Sequence, residues 1–402
     1  MAIAFTNMFN GELVPFYIKY IIAIIWILFW CYDISIKRLK IEKISKRAIR
    51  QYCYPYLFIA LWSCIIWIVD PPNYFSVDNI TRMLSNTIYI CITFLSSIAA
   101  VHFFGKRTIK LSLLAMTLST VVNLFYVVNQ YGISMLYIYV TTVFNEAEYS
   151  FGSDMYNFSL ALETQDIAIA TGFYLIYYLF FNNIDLKKKE VNCLILCFIC
   201  MYIGLKRTTL LGLIITLPII LLVKWKKLNL KNIVYSVGGA FILASFTYIF
   251  IIKYDIFSLL IRLLNIDANG RISIYNVLSQ YYDISFLYIG KGFLYVDKTM
   301  FDSIGFVAHS VIVKMYAEIG CVPFLFWLYH YLIKVPINIF NKDGVKSGII
   351  SFVTTLYLFI TFFTENTMSL FCIQFSYLLI PLAMSSSENG LVKKIRICWK
   401  GQ

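Results

Sequence analysis

Eleven apolar stretches of 15 to 22 residues punctuate this chain from end to end. They fall, to within a few residues, at Val14–Tyr32, Tyr54–Val69, Met83–Phe104, Leu111–Gln130, Thr164–Phe181, Val191–Leu205, Thr208–Val223, Ile233–Ile252, Met315–Ile333, Ser347–Phe363 and Leu370–Met384. A helix needs about 20 apolar residues, with a range of about 17–25, to cross the hydrocarbon of a bilayer. The pattern predicts an all-α polytopic integral membrane protein of about 11 transmembrane helices, with 10 to 12 as the bounds, and residues 1–402 as one transmembrane domain. The shorter stretch Ile133–Phe144 lies along the outer surface or makes a twelfth crossing.

Composition closes the other routes. The 402 residues are 60% hydrophobic and 18% aromatic, only 14% are charged, and the mean hydropathy is +0.76. Too few charged groups exist to cover a soluble core of that size. The formal charge of +13 does not point to nucleic acid, because the excess sits in short clusters between apolar stretches. Met1–Val14 has no basic n-region and no cleavage site, so no removable signal peptide is expected. All ten cysteines lie in or beside apolar segments. Cys193, Cys197 and Cys200 share a helical face, but with no histidine nearby they read as packed thiols rather than a metal site.

Basic residues also set the orientation. With residues 37–50 in the cytoplasm, the inner segments hold 24 of the 34 Lys and Arg residues, as the positive-inside rule requires. The N-terminus is then outside and the C-terminus inside. Two outer loops are long, 131–163 and 253–308, whereas no inner loop exceeds about 22 residues. That leaves no inner room for a nucleotide-binding domain, and the chain carries no Walker loop and no paired-aspartate metal motif. Chemistry, if any, belongs outside, on a donor that arrives already activated and carried by lipid.

The basic residues that break this pattern are the informative ones. Lys19, Arg82 and Lys253 sit at outer ends of spans, where snorkelling accounts for them. Lys206 and Arg207 separate two spans at the short limit, so the pair is recessed to phosphate depth or below. They either snorkel or bind a lipid phosphate or pyrophosphate. In the second outer loop, Asn269-Gly270-Arg271 follows the amphipathic stretch Ile256–Leu264. Gly290-Lys291-Gly292 is either an anion seat or a solvated turn. Of three histidines, His102 and His330 belong to the inner edge and only His309, in Ala308-His309-Ser310, faces outward. Glu318, three turns further in, either orients another group or pairs with Lys314.

The order Lys206-Arg207-Thr208-Thr209, long outer loop with Asn269-Gly270-Arg271, Gly290-Lys291-Gly292, Ala308-His309-Ser310 and Glu318-Ile319-Gly320 resembles the Wzy-type polymerases of O-antigen or capsule repeat units and the related O-antigen ligases. In motif terms the resemblance covers residues 190–335; in span count and loop plan it covers the whole chain. It implies a GT-C-like, metal-independent glycosyltransferase of the bacterial plasma membrane, with short helices in the long outer loop and no cofactor. Donor and acceptor would be undecaprenyl-pyrophosphate-linked oligosaccharides, with a chain-length regulator and a flippase as partners by family analogy. Motif matching assigns the donor pyrophosphate to Arg207 and Arg271, with Lys206 and Lys291 adding positive field. His309 becomes the base and Glu318 the second choice for base or orienter. The familiar motif has Asn after the histidine; this chain has Ser310. The residue types suit the reaction, because fixed guanidinium groups stabilise a departing pyrophosphate without a metal. An imidazole with a pKa of about 6.5 suits deprotonation of an acceptor hydroxyl near neutral pH. A ligase that hands finished polymer to a lipid A core shares both features, and a flippase for the lipid-linked unit is the reading from another class.

Overall fold

The computed structural model describes residues 15, 17–37, 42–70, 76–142, 164–180, 188–204, 207–226, 229–264 and 271–386. Every regular element among them is helical. Seven helices are long and apolar enough to cross a membrane: α1 Ile18–Ile36, α2 Lys43–Val69, α3 Val77–Phe104, α4 Arg107–Tyr131, α9 Leu230–Lys253, α14 Cys321–Asp343 and α15 Val345–Phe362. Four shorter apolar helices are α6 Thr164–Phe180, α7 Lys188–Gly204, α8 Arg207–Lys226 and α16 Phe371–Ser385. The chain is thus a multi-pass membrane protein. The ten-residue α5 Ile133–Thr142 is about 15 Å long. It packs its Tyr139 on Val127 and donates the Tyr139 hydroxyl to the Ile203 carbonyl at 2.8 Å.

Two compact units emerge: Met1–Ala48 with Ile92–Leu217 and Leu370–Gln402, and Ile49–Cys91 with Pro218–Ser369. In the first, α6 is buried along nearly its whole length, which is what an apolar helix without a polar face must do in a bundle. Tyr174 anchors it, with its hydroxyl 2.8 Å from Ser112 Oγ and 3.1 Å from Ser376 Oγ. Cys193, Cys197 and Cys200 are buried in this unit, and Cys200 Sγ rests 3.8 Å from Thr117 Oγ1 and 3.9 Å from Thr120 Oγ1. His102 pairs with Asp33 at 3.1 Å.

In the second unit, proline shapes the long helices. Pro55 has no N–H to offer the carbonyl four residues back, Gln51. The helix widens there into a π-turn over Ile49–Cys53, and His330 Nε2 donates to the Gln51 carbonyl at 2.8 Å. A matching π-turn, His330–Lys334, precedes Pro336. The stretch Met315–Ile333, expected as one continuous span, is interrupted. A separate helix α13, Val311–Ile319, ends at Gly320 (φ 80°), and the spanning helix starts afresh at Cys321.

The second long loop carries three short helices among its described residues: α10 Ile256–Leu264, α11 Arg271–Ser279 and α12 Tyr295–Ile304. Lys253 is more than a snorkelling cation. Its ammonium bonds the carbonyls of Ser279 (3.0 Å) and Tyr282 and the Asp283 carboxylate (3.2 Å), capping the C-terminal end of α11.

Candidate functional site

The second unit gathers its polar residues around α13, all nine of whose residues are buried. Backbone, rather than side chains, fixes this helix against the loop before it. Lys291 N–H donates to the Ala317 carbonyl (3.1 Å), Gly292 N–H to the Glu318 carbonyl (2.7 Å) and Cys321 N–H to the Tyr288 carbonyl (2.9 Å). So close an approach requires glycine. A Cβ on Gly290 would lie 2.4 Å from the Glu318 carbonyl oxygen, and one on Gly320 would lie 2.4 Å from Ile289 backbone. Both residues also hold positive φ, 94° and 80°.

Helix α2 locks the junction with two indoles. Trp62 Nε1 donates to the Ile319 carbonyl at 3.0 Å and Trp67 Nε1 to the Lys291 carbonyl at 2.9 Å. Ser63 Oγ accepts from Phe293 N–H at 2.9 Å. The amides of Lys291 and Gly292 are therefore spent inside the protein.

Inside this frame lies a buried ion pair. Lys314, 1% exposed, places its ammonium 2.7 Å from Asp297 Oδ2 and 2.7 Å from Asn366 Oδ1. The other Asp297 oxygen accepts the Ala308 N–H at 3.1 Å, so this carboxylate also holds the turn that carries His309. Taking two charges out of water costs several kcal/mol per ion unless each is fully bonded, and here each has at least two partners. Glu318, one helical turn from Lys314, is fully buried, and its two carboxylate oxygens lack hydrogen bonds. The amides of Leu294 and Asp297 face it without reaching bonding geometry. Burial raises its carboxyl to about 8, with Lys314 pulling the other way. Its oxygens form no ion pair with Lys314, whose ammonium is taken by Asp297 and Asn366.

A second group converges on the turn after α15. Arg271 opens α11 and sets its Nη2 3.6 Å from Glu365 Oε1; it is 34% exposed, so the guanidinium keeps an accessible side. Tyr248 donates its hydroxyl to the Phe363 carbonyl at 2.9 Å and shares a 3.0 Å bond with the Tyr275 hydroxyl. From the other side, Ser310 caps α13 by accepting the Val313 N–H, and its hydroxyl reaches the Phe362 carbonyl, each at 3.4 Å. The serine after the histidine thus has a clear local task. His309, half-buried, sits between that cap and Ala308.

Four of the six residues singled out from the sequence, Arg271, Lys291, His309 and Glu318, accordingly belong to one unit; the last three lie on or beside α13, and Arg271 pairs with Glu365. Lys206 lies outside the described residues, as do Asn269 and Gly270. Arg207 begins α8 in the first unit, and only its backbone position is described. Sequence reasoning does not single out Asp297, Glu365 or Asn366, because the segments between apolar stretches are full of polar residues. Lys314 was the available signal: a lysine inside the otherwise apolar run from Val311 to Ala317 demands a buried acid. No protein-family model matches the chain, and a search of curated proteins returns no match.

Proposed function

We propose that this protein is a polymerase that joins undecaprenyl-pyrophosphate-linked oligosaccharide repeat units into O-antigen or capsular polysaccharide. It would act at the outer face of a bacterial plasma membrane. In this reading the four shorter apolar helices also cross the bilayer, giving eleven crossings in a GT-C-like plan. The observation that supports the proposal is that Arg271 pairs with Glu365 while Ser310, the residue after His309, bonds the carbonyl of Phe362, three residues before Glu365. Arg271 and His309 are the two motif positions for which the resemblance implies pyrophosphate binding and proton removal.

The reaction follows from these groups. Arg271, loosely held by Glu365, exchanges that carboxylate for the donor pyrophosphate, with which its fork makes two charge-assisted bonds. Lys291 adds positive field, and Lys206 and Arg207 stay candidates for the pyrophosphate by motif match alone. The acceptor hydroxyl attacks the donor's anomeric carbon, the bond to the pyrophosphate oxygen breaks, and its electron pair leaves with the pyrophosphate. The hydroxyl proton passes to the neutral imidazole of His309. Stabilising the departing charge by fixed cations is worth about 10²–10³-fold per group, so the step needs no metal ion. Asp297, held by Lys314, anchors the His309 turn through the Ala308 amide.

The test is chain growth by the purified protein from its lipid-linked repeat unit, followed on a gel with and without EDTA. A ladder of equal intensity in both lanes supports a metal-free polymerase. No ladder with a verified substrate overturns the polymerase; product formed only on adding a lipid A core acceptor marks a ligase, and movement of the unit across a vesicle membrane without new bonds marks a flippase.

A further inference from the structure

Next to the buried Lys314–Asp297 pair, a cleft of about 330 Å³ opens in the second unit. Small-molecule sites run from about 300 to 1,000 Å³, so this one suits a small ring. Arg82 and Asn86, a turn apart on α3, line it together with Asp297 and Phe301, a turn apart on α12, and with Leu294. The two helices are tied together beside it: Lys298 pairs with Asp78 and donates to Asn79 Oδ1 at 3.1 Å. We propose that this cleft binds a neutral sugar ring, with Asn86 and Asp297 taking its hydroxyls and Phe301 its apolar face. In a polymerase, a reading on which this last step rests, the ring would belong to the glycan being joined.

The chemistry of the lining argues for a neutral polyol. Asn86 Nδ2 donates to the Arg82 carbonyl at 3.1 Å, which fixes the amide and leaves its oxygen to accept. Asp297 is immobilised by Lys314 and the Ala308 amide, yet it remains 13% exposed. Each of its oxygens has a second acceptor site to offer a hydroxyl. Arg82, whose side chain is 45% exposed, makes a long 4.0 Å contact to Asp78, and its guanidinium lines the cleft as a donor. A free phosphate would face the Asp297 charge in the same small cleft, whereas a neutral ring takes donors and acceptors together. Phe301 is 53% exposed and offers a flat apolar surface to the C–H face of a ring. Leu294, beside Asp297, holds φ 65° without being glycine, a strained backbone of the kind found where a ligand is clamped.

Purified full-length protein in detergent micelles, probed by saturation-transfer NMR with glucose, galactose, rhamnose and N-acetylglucosamine at millimolar concentration, tests this. The expected result is transfer from at least one sugar, undisturbed by inorganic phosphate. Asn86→Ala should lower that affinity about tenfold, the worth of one hydrogen bond, and Phe301→Ala should abolish transfer, while both keep the wild-type melting temperature. No transfer from any of the four sugars overturns the proposal. So does transfer unchanged in both variants, or displacement of the sugar by phosphate. Polymerisation is not read out: a sugar signal without chain growth removes the polymerase alone, and chain growth without a sugar signal removes the cleft alone.

Discussion

Lys314 shows most plainly how single residues govern this protein. Its ammonium, 1% exposed, is compensated by Asp297 and Asn366, so Lys314→Met leaves the largely buried Asp297 carboxylate without its cation. Losing one partner of such a pair costs about 3–5 kcal/mol. We expect Lys314→Met to lower the melting temperature in detergent sharply, whereas Lys291→Met, on a half-buried side chain, changes it little. Glu318 makes an opposite prediction. Its folded carboxyl titrates near 8 against an ordinary value of 4.5 because burial disfavours the charge. Below pH 4.5 folded and unfolded chains both hold the proton. Above it the unfolded chain ionises first, so this residue erodes stability as pH rises toward 8. Glu318→Gln keeps the shape and removes the proton: thermal melts should match wild type at pH 4 and run higher at pH 8. Equal melts at both values would contradict the assignment.

Among the elements, the join between α13 and α14 departs furthest from the sequence reading, and the reason is local. Hydropathy sees an apolar run from Met315 to Ile333 and cannot see that Gly320 takes φ 80°. That turn comes from a long-range contact, the backbone of residues 288–292 lying against residues 317–321. The motif glycines at 290 and 320 were legible as points of interest; that they pack on each other was not. Gly320→Ala puts a methyl 2.4 Å from backbone atoms, and we expect no folded protein. Gly305→Ala also has positive φ, 73°, but open space around it. It should fold with a loss of about 1–2 kcal/mol, measurable as a modest drop in melting temperature. The amphipathic reading of Ile256–Leu264 held as α10, because a stripe of period 3.6 needs only local residues to express itself.

For the whole molecule, the membrane class was legible in composition and run length alone, since no other solvent accepts so many apolar helices. Chain contacts divide it into two units, which hydropathy does not register. The orientation rests on basic clusters and is open to direct test. Asp302→Cys, in α12 of the second outer loop, should react with a membrane-impermeant maleimide on intact cells above the wild-type background. Lys342→Cys should react only after permeabilisation; the reverse pattern would invert the topology and remove the outer-face site. The central claim, that Arg271 and His309 form a glycosyl-transfer site, is met most directly by chain growth in Arg271→Ala and His309→Ala proteins. The rate of repeat addition, with melting temperature as the control for folding, should fall at least about 100-fold in each while both remain folded. Rates within a few-fold of wild type in folded variants would contradict it.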